Sequence, residues 1–460
     1  MKSTESTEDM NQEILNEIHD SGVTKVKVAI TDIDGVMRGK IINTQKFLAS
    51  ANGGFGFCNV VFGWDANDLC YENAGIEYTG WHTGYPDAQA EIDLTTFRHI
   101  PWEENTPFFL ADFKDSSGKT LEICPRGLLK KVRKDCMDQG FKAVFAQEFE
   151  WFNFREDSVE LNDAEFVAPN PITRGMFGYS VLRASQNGEF FNDLFDLMGE
   201  FDVEIEGLHT ETGPGVYEAA IMYNEVLEAA DRAVLFKASA KEIGDRHGII
   251  PTFMAKWNDK LPGCSGHIHQ SLWRDGKNVF FDKADPNKMS EVMKSYMAGL
   301  LLGLPQVLPM YAPTVNSYKR LVEGMWAPTT LTWGIDNRTT ALRALPGSEK
   351  ATRIENRVVG SDVNPYLAMA ASLACGMYGV KNKLKLETPA ITGNGYEEKS
   401  YGVLPRNLWD ATKAMEKSEM ANELFGETFV KHFCATRIWE CKQFDKSVTD
   451  WELKRYFEVI

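Results

Sequence analysis

The sequence predicts an α+β protein with more than one domain, because strand-like and helix-like segments follow one another along its 460 residues. Val26, Val28 and Ile30 alternate with polar or small residues, which is typical of a strand. The segment after Pro365 is instead a long apolar run typical of a buried helix. Because 43% of the residues are hydrophobic and 25% are charged, the chain has enough apolar material for a large core.

The first elements follow from local patterns. We predict disorder for residues 1–8 and a helix for residues 9–20, whose apolar positions share one face. The dipeptide at Asp34 and Gly35 favours a tight turn between two strands of a hairpin. Residues 51–90 are rich in Gly, Trp and Tyr and lack periodicity, which indicates an ordered loop region that carries function.

A helix is predicted to begin at Pro125 and to end at Gly140, since Pro fits a first helical turn and Gly the position after the last. We place a domain boundary near residues 115–124, just before this helix. No internal repeat or low-complexity segment interrupts the rest of the sequence. The further predicted elements are a strand over residues 143–154 and helices around 189–200 and 225–245.

Charge and cysteine content narrow the class of protein. With 49 basic and 66 acidic residues the net charge is −17, which argues against nucleic acid as a partner. The eight cysteines form no C-x-x-C pair, so we expect free thiols rather than a zinc site or a disulfide framework. The polar, acidic N-terminus lacks a signal region, and no run of about 18 apolar residues predicts a membrane span. The expected location is therefore the cytoplasm.

Three pairs of residues have the chemistry of metal ligands. Two residues that are two apart on a strand point to the same face, and adjacent carboxylates repel unless a cation lies between them. Carboxylate oxygens suit Mg²⁺ or Mn²⁺. The alternatives are a solvated strand face, a surface hairpin and a pair of hydrogen-bonded core histidines. The pairs are Glu148 with Glu150, Glu211 with Glu218 across a Gly-Pro-Gly turn, and His267 with His269.

A basic segment follows these acidic residues. Arginine side chains match carboxylate and phosphate oxygens bidentately, although surface ion pairs worth about 0–1 kcal/mol each are the alternative interpretation. Metal ligands together with arginines are what phosphoryl transfer requires. Arg353, Glu355 and Arg357 alternate, so we expect them on one face of a strand. The other members of the segment are Arg320, Arg338, Arg343 and Lys350.

Six motifs in order resemble the glutamine synthetase superfamily of type I: EFEWF, HTETGPGVYEA, SGHIHQSLW, NSYKRLVEGMWAPTTLTWGIDNR, RIENR and NPYLAMAASLACGMYGV. The resemblance extends from about residue 24 to residue 460. It implies an N-terminal β-grasp domain and a catalytic domain with a curved antiparallel sheet flanked by helices. The implied organisation is a tail and helix at 1–22, the β-grasp domain at 23–118 and the catalytic domain at 119–460.

The resemblance also implies an ATP-dependent glutamate ligase that uses two or three Mg²⁺ or Mn²⁺ ions per site. Its subunits would form two stacked hexameric rings, with each site between neighbouring subunits. The implied metal ligands are Glu150, Glu211 and Glu218 at one site, and Glu148, His267 and Glu355 at the other. The implied ATP contacts are His269, Ser271, Lys350, Arg353 and Tyr223. The implied glutamate contacts are Arg320, Gly263 and Glu150, with Arg338 and Arg357 around the γ-carboxylate and the transferred phosphate.

The sequence departs from the family at the ammonium pocket. Trp326 stands where the family carries a Glu that helps to hold and deprotonate ammonium. The family's Asp-Gly-Ser-Ser motif is absent, and Asp65 or Asp68 in FGWDANDLCYEN is the candidate replacement. We therefore predict a γ-glutamylamide synthetase for a small alkyl, hydroxyalkyl or aromatic amine. Its amine would pack against Trp326 and an aromatic loop. The predicted aromatic loop residues are Phe62, Trp64, Tyr71 and Trp81.

Other interpretations remain open. Trp326 can be a packing substitution in an ordinary glutamine synthetase that uses ammonia, and the chain can be a catalytically silent structural relative. The opening VKVAITDIDGV resembles haloacid-dehalogenase-type phosphatases, but a second strand is predicted where those enzymes have a helix. We therefore expect Asp32 and Asp34 to be hairpin residues. Adenylylation at Tyr396 is a further open question, as is the effect of Pro262 beside the glutamate site.

Overall fold

The computed structural model describes residues 7–51, 53–72 and 75–460. Most of the segment predicted to be disordered, residues 1–6, lies outside the described residues. The first helix begins at Thr7, two residues earlier than predicted. The irregular region predicted for 51–90 contains a short strand at Phe55–Cys58 and the first residues of the strand Asp87–Ile100.

The helices are distributed along the whole chain. They are α1 Thr7–Asp20, α2 Thr44–Ser50, α3 Pro125–Asp138, α4 Ser158–Asp163, α5 Val181–Gln186, α6 Gly188–Glu200, α7 Val226–Arg246, α8 Glu291–Gly303, α9 Ser317–Arg320, α10 Pro365–Lys381, α11 Leu408–Glu416, α12 Glu419–Phe425, α13 Glu427–Lys446 and α14 Asp450–Tyr456.

The strands fall into two sheets. They are β1 Lys25–Thr31, β2 Met37–Asn43, β3 Phe55–Cys58, β4 Asp87–Ile100, β5 Thr106–Lys114, β6 Lys142–Phe154, β7 Ile205–Thr210, β8 Val216–Ile221, β9 Asn224–Glu225, β10 Ile250–Thr252, β11 Gly266–Arg274, β12 Lys277–Asn278, β13 Trp333–Ile335, β14 Leu342–Leu345 and β15 Arg353–Asn356.

The N-terminal sheet has the strand order β2-β1-β5-β4-β3. Its central pair, β1 and β5, is parallel, while the outer pairs are antiparallel, as in a β-grasp domain. Buried apolar residues such as Phe47 on α2 and Phe109 on β5 stack beneath the sheet, with ring centroids 4.7 Å apart. The predicted β-grasp architecture is therefore consistent with the topology.

The β1–β2 hairpin follows from the chemistry of its turn. The Oδ1 atom of Asp32 accepts the backbone N–H groups of Asp34 and Val36, at 3.0 and 2.9 Å, and Oδ2 accepts Arg38 Nε at 2.9 Å. Gly35 has a φ of +85°, which a residue without a side chain adopts freely. The prediction of a hairpin is confirmed, and Asp32 is a turn residue rather than a phosphatase nucleophile.

The second sheet has the order β13-β14-β15-β11-β6-β8-β7, with β9 and β10 paired to β6 and β12 paired to β11. Its pairings are antiparallel except that of β13 with β14, which is parallel. Helix α7 packs against β6, and the largely apolar α10 lies buried between α3, α7 and α8. This is the fold predicted for the catalytic domain, with one parallel pair that the prediction lacked.

The predicted boundary at 115–124 falls between the last strand of the first sheet and α3. The division of the chain at 1–22, 23–118 and 119–460 stays a prediction. All eight cysteines are free thiols, as predicted. Within the described ranges, no helix combines the length and apolar character required to span a bilayer.

Arg126 on α3 joins the first sheet to helix α7 through an ion-pair cluster. Its Nε and Nη2 atoms donate to both carboxylate oxygens of Asp231 on α7, each at 2.8 Å. Its Nη1 atom donates to Asp112 on β5 at 3.0 Å and to Asp93 on β4 at 2.8 Å. Since Arg126 is only 3% exposed, removal of the guanidinium leaves three carboxylates with Lys130 as their remaining cation, and Asp231 keeps only the Tyr366 hydroxyl.

We expect Arg126→Ala to lower the free energy of unfolding by about 3–5 kcal/mol, because a buried charge cluster loses the cation that contacts all three of its carboxylates. Urea denaturation followed by circular dichroism measures the change. The matched control is Lys134→Ala on the same helix, since Lys134 forms an exposed pair with Asp138. Equal stability of the two variants would contradict a structural role for the cluster.

Candidate active site

The register of three strands brings the predicted metal ligands onto one face of the large sheet. Glu148 on β6 lies opposite His267 on β11, and Glu150 lies opposite Glu218 on β8. Paired residues in antiparallel strands share a face, and so do residues two apart on one strand. The local sequence and the pairing together therefore place these four side chains next to one another.

The same face continues onto β15 and β14. Glu355 lies opposite His269 on β11 and opposite Arg343 on β14. Arg343 Nη1 and Arg357 Nη1 each donate to one oxygen of the Glu355 carboxylate, at 2.9 and 2.5 Å. Strand β15 ends at Asn356, so Arg357 lies one residue beyond the strand on which it was predicted.

The turn between β7 and β8 brings Glu211 to the cluster. Gly215 in this turn has a φ of +72°, and a Cβ atom there would lie 2.5 Å from the carbonyl oxygen of Asn153. A side chain is therefore excluded on two grounds. Sequence reasoning missed His209 on β7, whose Nε2 lies 3.3 Å from an oxygen of Glu218. Its position two residues before Glu211 was the available signal.

Burial and mutual repulsion govern the charges of the carboxylates. The pKa of Glu218 is raised by burial, by a hydrogen bond with Glu148 and by the negative charges of Glu148, Glu150 and Glu211. Burial likewise raises the pKa of Glu150 to about 7, although the Ser265 N–H and Arg320 oppose the shift. The cluster therefore favours a bound cation or a proton over full ionisation.

The two histidines lie in different surroundings. Burial, followed by the charge of Arg357, lowers the pKa of His267 to about 3, so its imidazole is neutral. His269 Nε2 lies 2.8 Å from Glu148 Oε2, and its Nδ1 accepts Arg353 Nε at 3.1 Å. Although burial opposes ionisation of Glu148, its hydrogen bond with His269 lowers the pKa of Glu148 well below the usual value.

Two buried atoms in the cluster test whether divalent cations fit. His267 Nε2 and Glu211 Oε2 have no hydrogen-bond partner among the described residues. A neutral imidazole nitrogen and a carboxylate oxygen are ordinary ligands of Mg²⁺ or Mn²⁺. In the described parts of the chain no three such side chains already stand at coordinating positions, and Glu148 is bonded to His269 while Glu355 is bonded to Arg357. The donor set thus fits the cations in its chemistry.

A cleft of about 340 Å³ adjoins this face, and Glu148 forms part of its wall. Its size lies within the range of ligand pockets in proteins. Tyr223 is 58% exposed, so its ring is available for stacking. All five residues predicted to contact ATP line this one cleft, namely His269, Ser271, Lys350, Arg353 and Tyr223.

Three further residues of the cleft were missed by sequence reasoning. Trp273, Glu206 and Gln147 also line the cleft. Trp273 Nε1 donates to Ser271 Oγ at 2.9 Å and so orients a hydroxyl predicted to contact nucleotide. The signal was available for Trp273, which stands two residues after Ser271 on β11, whereas Glu206 reaches the cleft only through the pairing of β7 with β8.

Arg320 is 2% exposed, and its guanidinium is held from within the protein. Nη1 donates to the Val358 carbonyl at 2.9 Å, and Nη2 donates to Ser265 Oγ and to the Arg357 carbonyl at 2.9 and 3.0 Å. Only Nε lacks a partner among the described residues. A Cβ atom at Gly263 would lie 2.4 Å from the Ala255 carbonyl and 2.8 Å from Arg320 Cγ, so a glycine is required there.

Arg338 and Arg357 are adjacent but differ in exposure. Arg357 is 5% exposed and donates through Nε to the Arg338 carbonyl at 3.1 Å. Arg338 is exposed, and no described acidic residue pairs with it. Its guanidinium is therefore free to meet an anionic ligand beside the cluster.

Trp326 lies on a loop beyond these arginines, with 56% of its surface exposed and a φ of +62°. Glu323 on the same loop pairs with Lys399 at 2.7 Å. Tyr396 is 8% exposed, and burial raises the pKa of its phenol, which faces Arg357, Arg320 and the Trp326 backbone. Since its side chain is buried, Tyr396 is not presented to a modifying enzyme.

Asp65 and Asp68, the candidates to replace the ammonium-site Asp, lie apart from the carboxylate cluster. Asp65 Oδ1 accepts the backbone N–H groups of Asn67 and Leu69, and Oδ2 accepts Trp439 Nε1 at 2.9 Å. The carboxylate is thus engaged in holding its own loop to α13. Asp68 pairs with Arg38 at 2.8 Å.

The aromatic loop was predicted to pack against an amine, and this is wrong for two of its residues. Phe62 is fully buried against Phe113, and Tyr71 is 6% exposed against Trp439. Both side chains belong to buried hydrophobic clusters that hold the loop in place. Trp64 lies under the guanidinium of Arg38, and Trp81 is 71% exposed.

The comparisons with known proteins agree with this geometry. Residues 122–456 match the family model described as the catalytic domain of glutamine synthetase. A "Type-1 glutamine synthetase 2" of Dictyostelium discoideum is 54% identical, covering 98% of this chain and 87% of the relative. A glutamate–isopropylamine ligase of a Pseudomonas species is 37% identical, covering 96% and 97%. The solved structure of a GmaS–ADP complex is 25% identical, with a TM-score of 0.84 over 96% of this chain and 99% of the other.

Fold and site together define an enzyme with a nucleotide-sized cleft beside a cluster of carboxylates and histidines. The chain belongs to the glutamine synthetase family, whose members are ATP-dependent glutamate ligases. Enzymes of this family generally use divalent metal ions, which the donor set described above fits.

We expect Glu218→Gln to abolish the stabilisation of the protein by Mn²⁺, because the substitution removes an anionic donor from the centre of the cluster. A bound ion at 100 times its Kd stabilises by about 2.7 kcal/mol, which thermal melting with and without MnCl₂ detects. Without metal the variant should be about as stable as the wild type, since burial and the neighbouring carboxylates raise the pKa of Glu218 and keep its carboxyl protonated, so that Gln replaces a neutral group. The control is Glu204→Gln, an exposed carboxylate before β7. An unchanged response of Glu218→Gln to Mn²⁺ would contradict the assignment.

Proposed function

We propose that this protein is an ATP-dependent ligase that joins the γ-carboxylate of glutamate to a small organic amine. The observation that carries the proposal is Trp326, an exposed indole whose backbone contacts Tyr396, the residue that faces Arg320 and Arg357. The proposed amine is alkyl, hydroxyalkyl or aromatic. The similarity to a glutamate–isopropylamine ligase over nearly the whole chain supports this choice.

The proposed reaction has two steps. The γ-carboxylate of glutamate attacks the terminal phosphate of ATP, which gives γ-glutamyl phosphate and ADP. The amine nitrogen then attacks the acyl carbonyl and loses a proton, and inorganic phosphate leaves as the amide forms. A bare carboxylate is a poor acyl donor, whereas the acyl phosphate has a good leaving group.

The chain's own groups have defined parts in this proposal. Tyr223 and the other cleft residues bind the nucleotide, and Arg353 and Lys350 meet its phosphates. Arg338 and Arg357 offset the charge on the transferred phosphate and the γ-carboxylate. Divalent cations held by the carboxylates and His267 would neutralise the remaining phosphate charge. Arg320 and Gly263 hold the α-carboxylate end of glutamate, beside Glu150.

The second substrate is argued from Asp65, the candidate replacement for the ammonium-site Asp, and from Glu323, the acidic residue on the loop of Trp326. A protonated ammonium ion must lose a proton before it attacks, and a free carboxylate assists this loss. Asp65 is engaged by two N–H groups and Trp439, and Glu323 is paired with Lys399. Neither is a free proton acceptor, whereas the indole of Trp326 offers an apolar wall. Since alkylammonium ions must also lose a proton, it is the apolar wall that favours an amine that brings its own carbon skeleton.

The second candidate function is that of an ordinary glutamine synthetase. The 54% identity to the Dictyostelium relative, which is named as a glutamine synthetase, favours it. In that case Trp326 is a packing substitution and ammonia is the nucleophile. The two candidates share the first step and differ only in the nucleophile of the second.

We also propose assembly into rings, commonly two stacked hexamers, with a site between neighbours. The exposed apolar residues Trp451 and Phe457 at the C-terminal end, at 60% and 83%, support association between copies. A reducing cytoplasm is the proposed location, which is supported by the eight free thiols.

A panel of amines tests the proposed function directly. Purified enzyme with ATP, Mg²⁺ and glutamate is offered ammonium, ethylamine, isopropylamine, ethanolamine and aniline, and phosphate release is measured. We expect at least one organic amine to exceed ammonium by about tenfold or more in kcat/KM, with the amide verified by mass spectrometry. Ammonium as the best substrate would replace this proposal with the second candidate. No turnover with any nucleophile would exclude both.

Trp326→Glu should shift the preference towards ammonium, because it restores a proton acceptor and removes the apolar wall. We expect kcat/KM for the best organic amine to fall by about tenfold or more, while KM for ATP stays within about twofold. The matched control is Trp326→Phe, which keeps an aromatic wall and should retain the preference. Unchanged selectivity in Trp326→Glu would place the amine site elsewhere.

A further inference from the structure

The segment from Arg357 to Asn364, which we name the strap, lies directly after β15 and before α10. Val358, Val359 and Val363 on it are completely buried. Its backbone carbonyls at 357 and 358 accept the guanidinium of Arg320. The strap is therefore the inner wall of the site proposed for the α-carboxylate of glutamate.

A carboxylate at the far end of the strap returns to the helix that carries Arg320. Asp362 Oδ2 accepts Thr314 Oγ1 at 2.9 Å and Ser317 Oγ at 2.5 Å. Thr314 and Ser317 also accept each other's backbone N–H groups, each at 3.0 Å, at the start of α9. Arg320 is the last residue of this one-turn helix. Asp362 thus fixes one end of α9 while the strap carbonyls fix the guanidinium at the other.

The hydrogen bonds close into a circuit. Ser361 Oγ donates to the Glu150 carbonyl at 2.6 Å, and Glu150 Oε2 accepts the Ser265 N–H at 2.8 Å. Ser265 Oγ in turn accepts Arg320 Nη2 at 2.9 Å. One continuous path therefore runs from Asp362 through α9 to Arg320, and through Ser265 and Glu150 back to the strap.

The circuit is anchored to the rest of the protein at its last residues. Lys237 on α7 donates to the Val363 carbonyl at 2.8 Å. Asn364 Nδ2 donates to the Asp32 carbonyl of the N-terminal hairpin at 3.0 Å. The strap therefore has little freedom to move, and among its described residues the Asp362 side chain bonds to Thr314 and Ser317 at the start of α9.

We propose that Asp362 is a positioning residue that sets the orientation of Arg320 and so determines the affinity for glutamate, without touching the substrate. The inference rests on the proposed role of Arg320 as the glutamate clamp. Without the carboxylate, the Thr314 and Ser317 hydroxyls lose their shared acceptor, and α9 can shift relative to the strap. A displacement of about 1 Å in a binding group lowers the reaction rate by up to about 10²-fold, so the effect is measurable.

The test compares full-length Asp362→Ala and Asp362→Asn with the wild type. We expect Asp362→Ala to raise KM for glutamate by about tenfold, with KM for ATP within about twofold and kcat reduced less than KM rises. Asp362→Asn keeps an oxygen that accepts the two hydroxyls, and it should recover most of the loss. Equal rises in KM for glutamate and for ATP, or an unchanged KM for glutamate, would overturn the inference.

A matched control separates positioning from general destabilisation. Ser418 is 6% exposed and caps α12 by accepting the Ala421 N–H at 2.9 Å. Loss of this hydroxyl lowers the stability of a helix start, as loss of the Asp362 carboxylate does at α9. We expect Ser418→Ala to lower the melting temperature without changing KM for glutamate. If Asp362→Ala does not fold, Thr314→Val removes one of the two donors with little change in volume. It should raise KM for glutamate by about threefold, and an unchanged value would overturn the inference.

The outcome is independent of the amine. Glutamate binding to the wild type and the variants is also measured by calorimetry with ADP and Mg²⁺ present and no amine. A wild type that binds glutamate but forms no amide refutes the proposed function and leaves the Asp362 inference testable. A wild type that forms amide, with glutamate affinity unchanged in Asp362→Ala, refutes the inference alone.

Discussion

Repulsion between buried carboxylates is the constraint on which the rest of the site depends. The pairing of β6 with β8 and β11 places Glu148, Glu150 and Glu218 on one face, next to His267. Their mutual repulsion and their burial raise the pKa of Glu218 and of Glu150. A sheet face of this kind is stable only where cations or protons offset the charge.

The arginines on the adjacent strands divide the face into two halves. Glu355 lies at the division, where Arg343 and Arg357 occupy both of its oxygens and His267 Nδ1 lies 3.3 Å away. Although burial opposes it, Arg357 and the two histidines lower the pKa of Glu355 to about 2. The half with the free carboxylates thus attracts cations, and the half with Arg343 and Arg357 attracts anions. This suits a nucleotide, whose phosphates contact both bound cations and arginines.

The acyl half and the amine half of the proposed site differ in rigidity. Arg320 is enclosed by the strap, whose neighbours are buried side chains and backbone carbonyls. Trp326 instead lies on an exposed loop, where Glu323 forms an exposed ion pair with Lys399. In the proposed site, a change of residue at 326 would therefore alter the surroundings of the nucleophile without disturbing the carboxylate face or Arg320.

Local pattern in the sequence determined the strand at 143–154, the β1–β2 hairpin, the helix after Pro125 and the pairs of candidate ligands two residues apart. These features depend on side-chain periods and turn chemistry, which act within a few residues. The ordered motifs also determined the family and the grouping of the five cleft residues. Only the tertiary structure decided that Phe62 and Tyr71 are core residues, because burial depends on distant partners such as Phe113 and Trp439. The engagement of Asp65, the approach of Glu206 to the cleft and the link from Asp362 to α9 were likewise decided by contacts between segments far apart in the chain, which no local pattern encodes.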